Sequence, residues 1–585
     1  MNNSKLDHIR HSLSHILAMA VLKKFPDAKL GIGPTIDNGF YYDFLLPDKL
    51  SEEDLPELEK SMRQIIGQKI DFKKSVLSRA EALKKVSANK QNFKEELIND
   101  LPENEEISFY ESDDFTDLCA GPHVENSSEI NTESFKLTHL AGAYWRGDDT
   151  RDMLTRIYGV AFNNKNELAE HLKMLEEAKL RDHRKLGKEL DLFTFSDMIG
   201  GGLPVWLPHG TVLRDELEKL AKETEFQCGY ERVSTPVISK EALFLKSGHL
   251  PHYKESMYAP MDIDGEDYYI KPMNCPFHHV VFQSKMRSYR ELPLRLAEYG
   301  LCHRYEKSGE LQGLMRVRSM CMNDAHIYVR PDQVKEEIKQ VIQMHQYYYN
   351  LFGIDKVSFR LSKHDPADLG GKYVNMPQEW ADNEQILREV LTEMKVDFFE
   401  AENEASFYGP KIDVQIFSAI GKEYTIGTVQ LDFAQPQKFE LKYTDETGKE
   451  VMPYCIHRAP LSVHERFIAF LIEHFGANFP LWLSPVQVRI NSVADKHSEF
   501  CQNLGQELKK HFIRVQVDLS AETVGNKIRK SAKEKIPYTL VIGDKEMASD
   551  KLAVRVRGQE KLWEVSKDDF IRNISENIKQ RKLEL

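Results

Sequence analysis

Near the N-terminus, Ile9, Leu13, Ile16, Leu17 and Ala20 recur at i, i+4, i+7, i+8 and i+11. That spacing predicts an amphipathic helix with one core-facing stripe. His8, His11 and His15 fall on its other, polar side, where a solvated face is the plain expectation. "KLGIGPTIDNGFYYDFLL" follows, with Gly-Pro and Asn-Gly turn signals between β-prone runs. A charged helical region over 51–100 and a second β-rich part, holding "TDLCAGPHVEN" and "LAGAYWRGDD", complete an α+β unit expected over 1–170. The stretch 165–190, "NELAEHLKMLEEAKLRDHRKLGKELD", predicts one long exposed helix, with 171–190 as a linker. Its second half is basic: Lys179, Arg181, Arg184, Lys185 and Lys188.

The pattern changes over 191–483. After the helix "TVLRDELEKLAKETEF", β-type runs succeed one another: "DYYIKPMNCP", "LPLRLAEYGLCHRYE", "LMRVRSMCMNDAHIYV", "KIDVQIFSAI", "EYTIGTVQLDF" and "FELKYTD". Helices are expected only near 331–351 and 377–395, and from "VHERFIAFL". Strands in succession imply a large antiparallel sheet. From 484 to 585 strand and helix alternate, which predicts a compact α/β domain. The fold class expected is therefore multidomain, α+β and α/β.

The bulk numbers fit that division. A chain of 585 residues suggests roughly three to four domains. It is 41% hydrophobic and 29% charged, with no run of ~18 apolar residues to span a membrane and no signal-peptide pattern. Seven cysteines, odd in number and scattered, point to a reducing cytoplasm. The net charge of −13 argues against indiscriminate nucleic-acid binding. Ser484 to Leu585, however, carries 20 Lys+Arg against 15 Asp+Glu, so a basic tail domain sits on an acidic body. That asymmetry suits a localised polyanion contact.

Three constellations carry chemistry. "HSLSH" (His11, His15) lacks the Glu that a zinc-protease helix needs after its first histidine. With "CAGPH" (Cys119, His123) it could hold zinc, or form a metal-free hydrolytic pocket; the spacing leaves both open. Arg304 and Glu306 in "CHRYEKSG", Arg316 and Arg318 in "LMRVRSM", and Glu465 and Arg466 in "VHERF" form a second set. Guanidinium groups match phosphate oxygens bidentately, and no glycine-rich phosphate loop is present, so a nucleotide site here would rest on arginines. The third set is Cys275, His326 and His457, a donor set suited to a catalytic-type zinc site with a vacant position. Cys275 with His278 or His279 is a local rival that composition does not separate from it.

"HSLSH", "CAGPH", "GAYWRGD", "RDHRKLGKELDLF", "YIKPMNCP", "CHRYEKSG", "GLMRVR", "DAHI", "FYGPKID", "GTVQLDF", "IHRA", "ERF" and "LVIGDKE" occur in that order. Together they closely resemble the bacterial threonyl-tRNA synthetase family, class II aminoacyl-tRNA synthetases, over essentially the whole chain. The resemblance implies an editing domain over 1–170, a class II catalytic domain over 191–483 and an anticodon-binding domain over 484–585. It implies one Zn²⁺ per subunit on Cys275, His326 and His457, completed by the threonine amino and hydroxyl groups. Asp324 and Tyr408 would orient the amino acid. Arg304 would grip the α-phosphate and Arg466 the far end of the triphosphate. Arg316, Gln430 and Lys411 match further ATP- or substrate-side positions, and Mg²⁺ would accompany ATP. His11, His15, Cys119 and His123 would form the pocket that hydrolyses mischarged Ser-tRNA, and Glu546 and Arg555 match anticodon-reading positions. The implied partners are tRNA(Thr), ATP, L-threonine and a second copy of the chain, since the helix-then-strand segment ending at Pro236 resembles the class II dimer motif.

The chain also departs from the family. The family commonly begins with a small ubiquitin-like domain, whereas this chain is expected to start directly at the editing domain. Met320 stands where an aromatic often stacks on adenine and Met322 where a glutamine usually lies. Phe277 replaces a glycine, Ser462-Val463 replaces Gly-Ser, and His139 replaces a common lysine. Two rival readings follow: another synthetase of the subgroup, such as prolyl, or a catalytically lapsed tRNA-binding paralogue.

Overall fold

The computed structural model describes residues 3–103, 105–148, 150–418 and 421–585, in two compact units, Met1–Glu176 and Glu177–Leu585. In the first unit the helix Asn3–Lys24 buries Leu13, Ile16, Leu17 and Val21 against Phe40, Tyr42 and Phe44 of the strand Gly39–Leu45. Its histidines do not form the solvated face that the periodicity suggests. His15 is 2% exposed. The reason is a second, three-stranded sheet, Lys73–Leu77, Ile107–Ser112 and Phe115–Leu118, whose exit loop returns over that side of the helix. The strand Lys73–Leu77 also interrupts the region 51–100, whose helices are Leu55–Gly67, Arg79–Ala88 and Asn92–Asp100.

The expected long helix over 165–190 is broken into Lys165–Arg181 and His183–Glu189. Asp182 leaves the helical region (φ −49°, ψ 121°) and its side chain caps the second helix at Arg184 N. The second helix is not exposed: His183 and Leu186 are buried. His183 Nδ1–H donates to Glu473 at 2.8 Å, while its Nε2 accepts from Leu314 N.

The larger unit holds an eight-stranded sheet in the order Glu231–Arg232, Leu294–His303, Ser319–Val329, Tyr454–Arg458, Glu423–Asp432, Lys411–Phe417, Val357–Ser362, Phe398–Ala401. It is antiparallel except at the two edge pairs, which are parallel. "DYYIKPMNCP" is not one strand: the strand ends at Ile270 and a helix, Cys275–Gln283, begins at the cysteine. Further helices, Glu241–Ser247 and His249–Tyr253, also fall outside the expected set.

Period-two alternation divides the two faces of this sheet. Ala325, Ile327, Ile412, Val414, Val429, Leu431 and Ile456 join one core with Leu217, Ile338 and Phe467 of the helices Pro208–Gln227, Val334–Leu351 and His464–Phe475. Their neighbours in sequence, Asp324, His326, Lys411, Asp413, Gln430, Asp432 and His457, therefore share the other face. The C-terminal sheet has five strands, Val515–Asp518, Val488–Ser492, Tyr538–Ile542, Lys551–Val556 and Trp563–Ser566. The first three are parallel and the last two antiparallel to their neighbours. Trp563–Ser566 is an unanticipated addition to the expected alternation.

Candidate active site, metal centre and hydrolytic pocket

Sheet register lines up the polar face. Lys411 pairs with Gln430, Gln430 with His457, and His457 with His326, so four strands deliver one row of side chains. Asp324 and Met322 continue down the same face of the strand Ser319–Val329. The N-terminus of the helix Cys275–Gln283 brings Cys275 over the row, and one ligand atom from each of Cys275, His326 and His457 lies within 4.8 Å of the others. All three residues are buried.

The donors suit a metal ion. His326 Nε2 is buried with no hydrogen-bond partner among the described residues. His457 Nε2–H donates to Asp432 Oδ2 at 2.9 Å, which leaves its other nitrogen as a lone pair. Burial, followed by the nearby Asp324 and Asp432, pushes the Cys275 thiol well up, and burial holds His326 well below its ordinary value. A buried thiol flanked by carboxylates becomes a thiolate only against a strong positive charge, which a divalent cation supplies. The rival pairing with His278 or His279 is not what the fold assembles: His278 faces Glu298 and His326, and His279 Nδ1 faces the Tyr328 hydroxyl.

Around this centre, Tyr408 stacks on His457 with centroids 5.2 Å apart, and its hydroxyl donates to Gln430. Asn274 Nδ2 donates to Asp324 at 3.3 Å. A Cβ at Gly300 would fall on the Asn274 side chain, so glycine is required there for this contact to form.

Beyond the row opens a cleft of about 320 Å³ lined by Arg304, Arg316, Arg466, Lys411 and Gln430. Arg304 Nε and Arg466 Nε donate to the carbonyls of Pro272 and Met315. Neither arginine has a carboxylate within ion-pair distance among the described residues. Arg316 pairs with Glu306 at 2.8 Å and Lys411 with Asp413 at 3.0 Å. Burial, then Arg304 and Arg316, lower the Arg466 pKa. Guanidinium groups sharing one cleft suit a polyanion. Met320, Met322, Val317 and Val463 form an apolar wall of the same cleft. Glu465 plays no part in it: its carboxylate is buried and accepts from Cys321 N.

In the first unit, Cys119 Sγ lies 3.2 Å from both His11 Nε2 and His123 Nε2. His11, His15, Cys119 and His123 form the second cluster of possible ligands among the described residues. His11, His15 and Cys119 line a cleft of about 430 Å³ with Lys94 and Asp117. His11 Nδ1–H donates to Pro122 O, so its Nε2 presents a lone pair to Cys119. Burial depresses all three histidines, strongly for His15 and His123, and pushes the Cys119 thiol up to about 11. These imidazoles and the thiol are thus uncharged, beside a buried ion pair, Lys94 Nζ to Asp117 Oδ1 at 2.6 Å; Asp117 also accepts from the Tyr42 hydroxyl.

The chain matches three known families by sequence: the tRNA synthetase class II core domain (G, H, P, S and T) over residues 258–475, the anticodon binding domain over 487–577, and the threonyl and alanyl tRNA synthetase second additional domain over 107–158. It is 47% identical over 576 residues to a threonine–tRNA ligase of Geobacillus sp. (strain WCH70), covering 98% of this chain and 89% of the relative. The chain belongs to the threonine–tRNA ligase family. A second threonine–tRNA ligase, from Geobacillus kaustophilus, is 46% identical over 581 residues, covering 99% of this chain and 89% of the relative. Among solved structures, the RNA binding domain of threonyl-tRNA synthetase from Cryptosporidium parvum superposes with a TM-score of 0.64 at 35% identity, covering 68% of this chain and 98% of that one.

Within this family chain the two anticodon candidates stand in the C-terminal sheet domain. Glu546 Oε2 accepts from Gly543 N and so caps its own short helix, Asp544–Met547. Arg555 is exposed on the strand Lys551–Val556, opposite Thr539. His139 stacks on Tyr158 at 4.4 Å. Several site residues were not singled out from the sequence: Lys94, Asp117 and Tyr42 in the first unit, and Asp432 and Glu298 in the second. Asp432 sits in "QLDF" with alternating apolar neighbours, the one local signal that it faces His457's side of the sheet.

Proposed function

We propose that this chain activates L-threonine with ATP, transfers the threonyl group to tRNA(Thr), and hydrolyses mischarged Ser-tRNA(Thr) in its N-terminal unit. The observation that carries the reading is the meeting of a thiol and two imidazoles within 4.8 Å, in register with a row that leads into a cleft of facing arginines. In the first step a threonine carboxylate oxygen attacks the α-phosphorus of ATP. The bond from that phosphorus to the bridging oxygen breaks, and pyrophosphate leaves with the electron pair. Arg304 offers a permanent charge to the α-phosphate, and Arg316 and Arg466 take the leaving end; Mg²⁺ travels with ATP. Asp324, Tyr408 and Gln430 orient the amino acid, with Lys411 beside them. In the second step a terminal ribose hydroxyl of the tRNA attacks the threonyl carbonyl and AMP leaves.

Cys275, His326 and His457 would hold one Zn²⁺, a Lewis acid with room for the substrate's amino and β-hydroxyl groups. A site built around a substrate hydroxyl rejects its isostere by about 10⁴ or more, against about 10² for shape alone. Valine is excluded in this way, but serine keeps the hydroxyl, so a second, hydrolytic pocket is needed. Neutral His11, His15 and His123 with the Cys119 thiol suit that task, holding ester and water by hydrogen bonds without metal. A count of two zinc ions per chain would overturn the metal-free version.

We further assign a homodimer, supported by the helix Pro208–Gln227 running into the edge strand Glu231–Arg232 and tested by light scattering. A cytoplasmic setting is supported by the seven free cysteines and by the lack of any described helix long and apolar enough to cross a membrane. Glu546 and Arg555 are proposed to read the anticodon. The deciding experiment is ATP–pyrophosphate exchange with each amino acid. A threonine-dependent signal is expected. A proline-dependent one would support the prolyl alternative, and no signal with tRNA binding intact would mark a lapsed paralogue.

A further inference from the structure

One of the two imidazoles is held by a carboxylate directly; the other is not. His457 Nε2–H donates to Asp432. His326 Nδ1 instead meets the Nδ1 of His278 at 2.8 Å, and His278 Nε2 lies 3.0 Å from Glu298 Oε2. His278 and His326 are 0% exposed and Glu298 4%. A carboxylate accepts only, so His278 Nε2 carries the hydrogen. Lys271 Nζ stands 3.5 Å from the same carboxylate. One hydrogen lies between the two Nδ1 atoms; with it on His326, His278 Nδ1 accepts, and His326 Nε2, buried and without a hydrogen-bond partner among the described residues, is the lone pair that a metal shared with Cys275 and His457 requires.

We propose that His278 and Glu298 are positioning residues for the metal centre, forming a relay Glu298–His278–His326 that fixes the ligand tautomer and ring orientation of His326. The proposal rests on the zinc reading above and extends it to residues that touch neither metal nor substrate. The chain of bonds is anchored at its far end, because Glu298 also accepts from Thr235 N at 2.7 Å and from the Thr235 hydroxyl at 2.8 Å. A carboxylate partner reached through a second imidazole does what a direct one does: it orients the ring and raises its basicity toward the metal.

The test measures Zn²⁺ affinity of the full chain by competition with a chromogenic chelator, in the parent and in E298Q, H278F and H278Q. Outer partners of this kind are worth about 10–100-fold in metal affinity. E298Q and H278F should each raise the zinc dissociation constant by about that factor, and together by no more than the larger single effect, because both act through His326. Glutamine can donate to Glu298 and accept from His326, so H278Q should recover most of what H278F loses. Unchanged affinity in E298Q, additive losses, or an H278Q no better than H278F would each overturn the relay; E298Q alone carries the test should H278F fail to fold. A parent chain that takes up no stoichiometric zinc would instead overturn the metal reading itself, a failure visible without any variant.

Discussion

His326 and His457 are direct partners across two antiparallel strands, and their rings meet with centroids 4.4 Å apart. Neither can be displaced without shifting the register of the central sheet, so the pair is as rigid as the core beneath it. Cys275 is the third member of the set and comes from a helix terminus, which makes it the separable one. In C275A, zinc content should fall well below one per chain. Discrimination of threonine from valine in pyrophosphate exchange should drop from about 10⁴ toward the ~10² of a shape-only pocket. Retained zinc with unchanged discrimination would show that the donors serve structure alone.

Arg466 tests the cleft from the opposite direction. Arg304 and Arg316 repel it, Glu306 offsets them only in part, and no carboxylate lies within ion-pair distance of it among the described residues. Replacing it with glutamine should lower ATP-dependent exchange by about 10²–10³, the range for one preorganised charge-stabilising donor. In the absence of ATP, the same variant should unfold at an equal or higher temperature, since a like-charge contact is relieved. A large loss of stability without nucleotide would identify Arg466 as a structural residue.

Helix and strand periodicity was enough to anticipate the antiparallel catalytic sheet and the alternating C-terminal domain, because both write their buried faces into local spacing. The site was legible only where residue type is distinctive. Cys275, His326 and His457 could be picked out as zinc donors, yet nothing local distinguished His326 from His278 as the partner of Cys275; that choice is made by strand register between segments 131 positions apart. Lys94 was invisible for another reason. It lies in the charged helical run "NFKEELIND", where a lysine is ordinarily solvated, and it is buried because Asp117, on the strand Phe115–Leu118, pairs with it. His15 was misplaced by the same logic, since helical spacing identifies a polar face and not what later folds over it.

The depressed histidines of the first unit give that unit a pH dependence. Their unfolded value is about 6.5. Below it the unfolded chain takes up protons that buried His15 and His123 refuse, so stability is complete above about pH 6.5 and falls as the pH is lowered toward the folded values. Each of these two groups contributes a slope of about 1.4 kcal/mol per pH unit in that window. Hydrogen exchange of the Asn3–Lys24 helix, corrected for intrinsic rates, should show falling protection from pH 7 to pH 5.5, and H123F should remove about half of the slope. Protection independent of pH would contradict the burial account.

Glu225 and Arg458 offer a test of the scaffold behind the site. Arg458 follows His457 in sequence, so its side chain lies on the opposite face, fully buried, where Nη2 donates to Glu225 at 2.8 Å and the guanidinium rests 4.4 Å from the Tyr230 ring centroid. Glu225 also accepts from Asn323 Nδ2 and from the Tyr299 hydroxyl, tying the helix Pro208–Gln227 to the strand that carries Asp324 and His326. Removing only the carboxylate leaves a buried, uncompensated cation, whereas removing both charges leaves packed neutral groups. E225Q should therefore cost about 3–5 kcal/mol, and the E225Q/R458M double variant distinctly less than E225Q alone. Denaturant unfolding followed by tryptophan fluorescence, to which Trp482 in the same core contributes, is a suitable readout. A double variant as unstable as the sum of its singles would mean that the two residues stabilise the sheet independently, and that the ion pair does not couple the helix to the strand that carries His326.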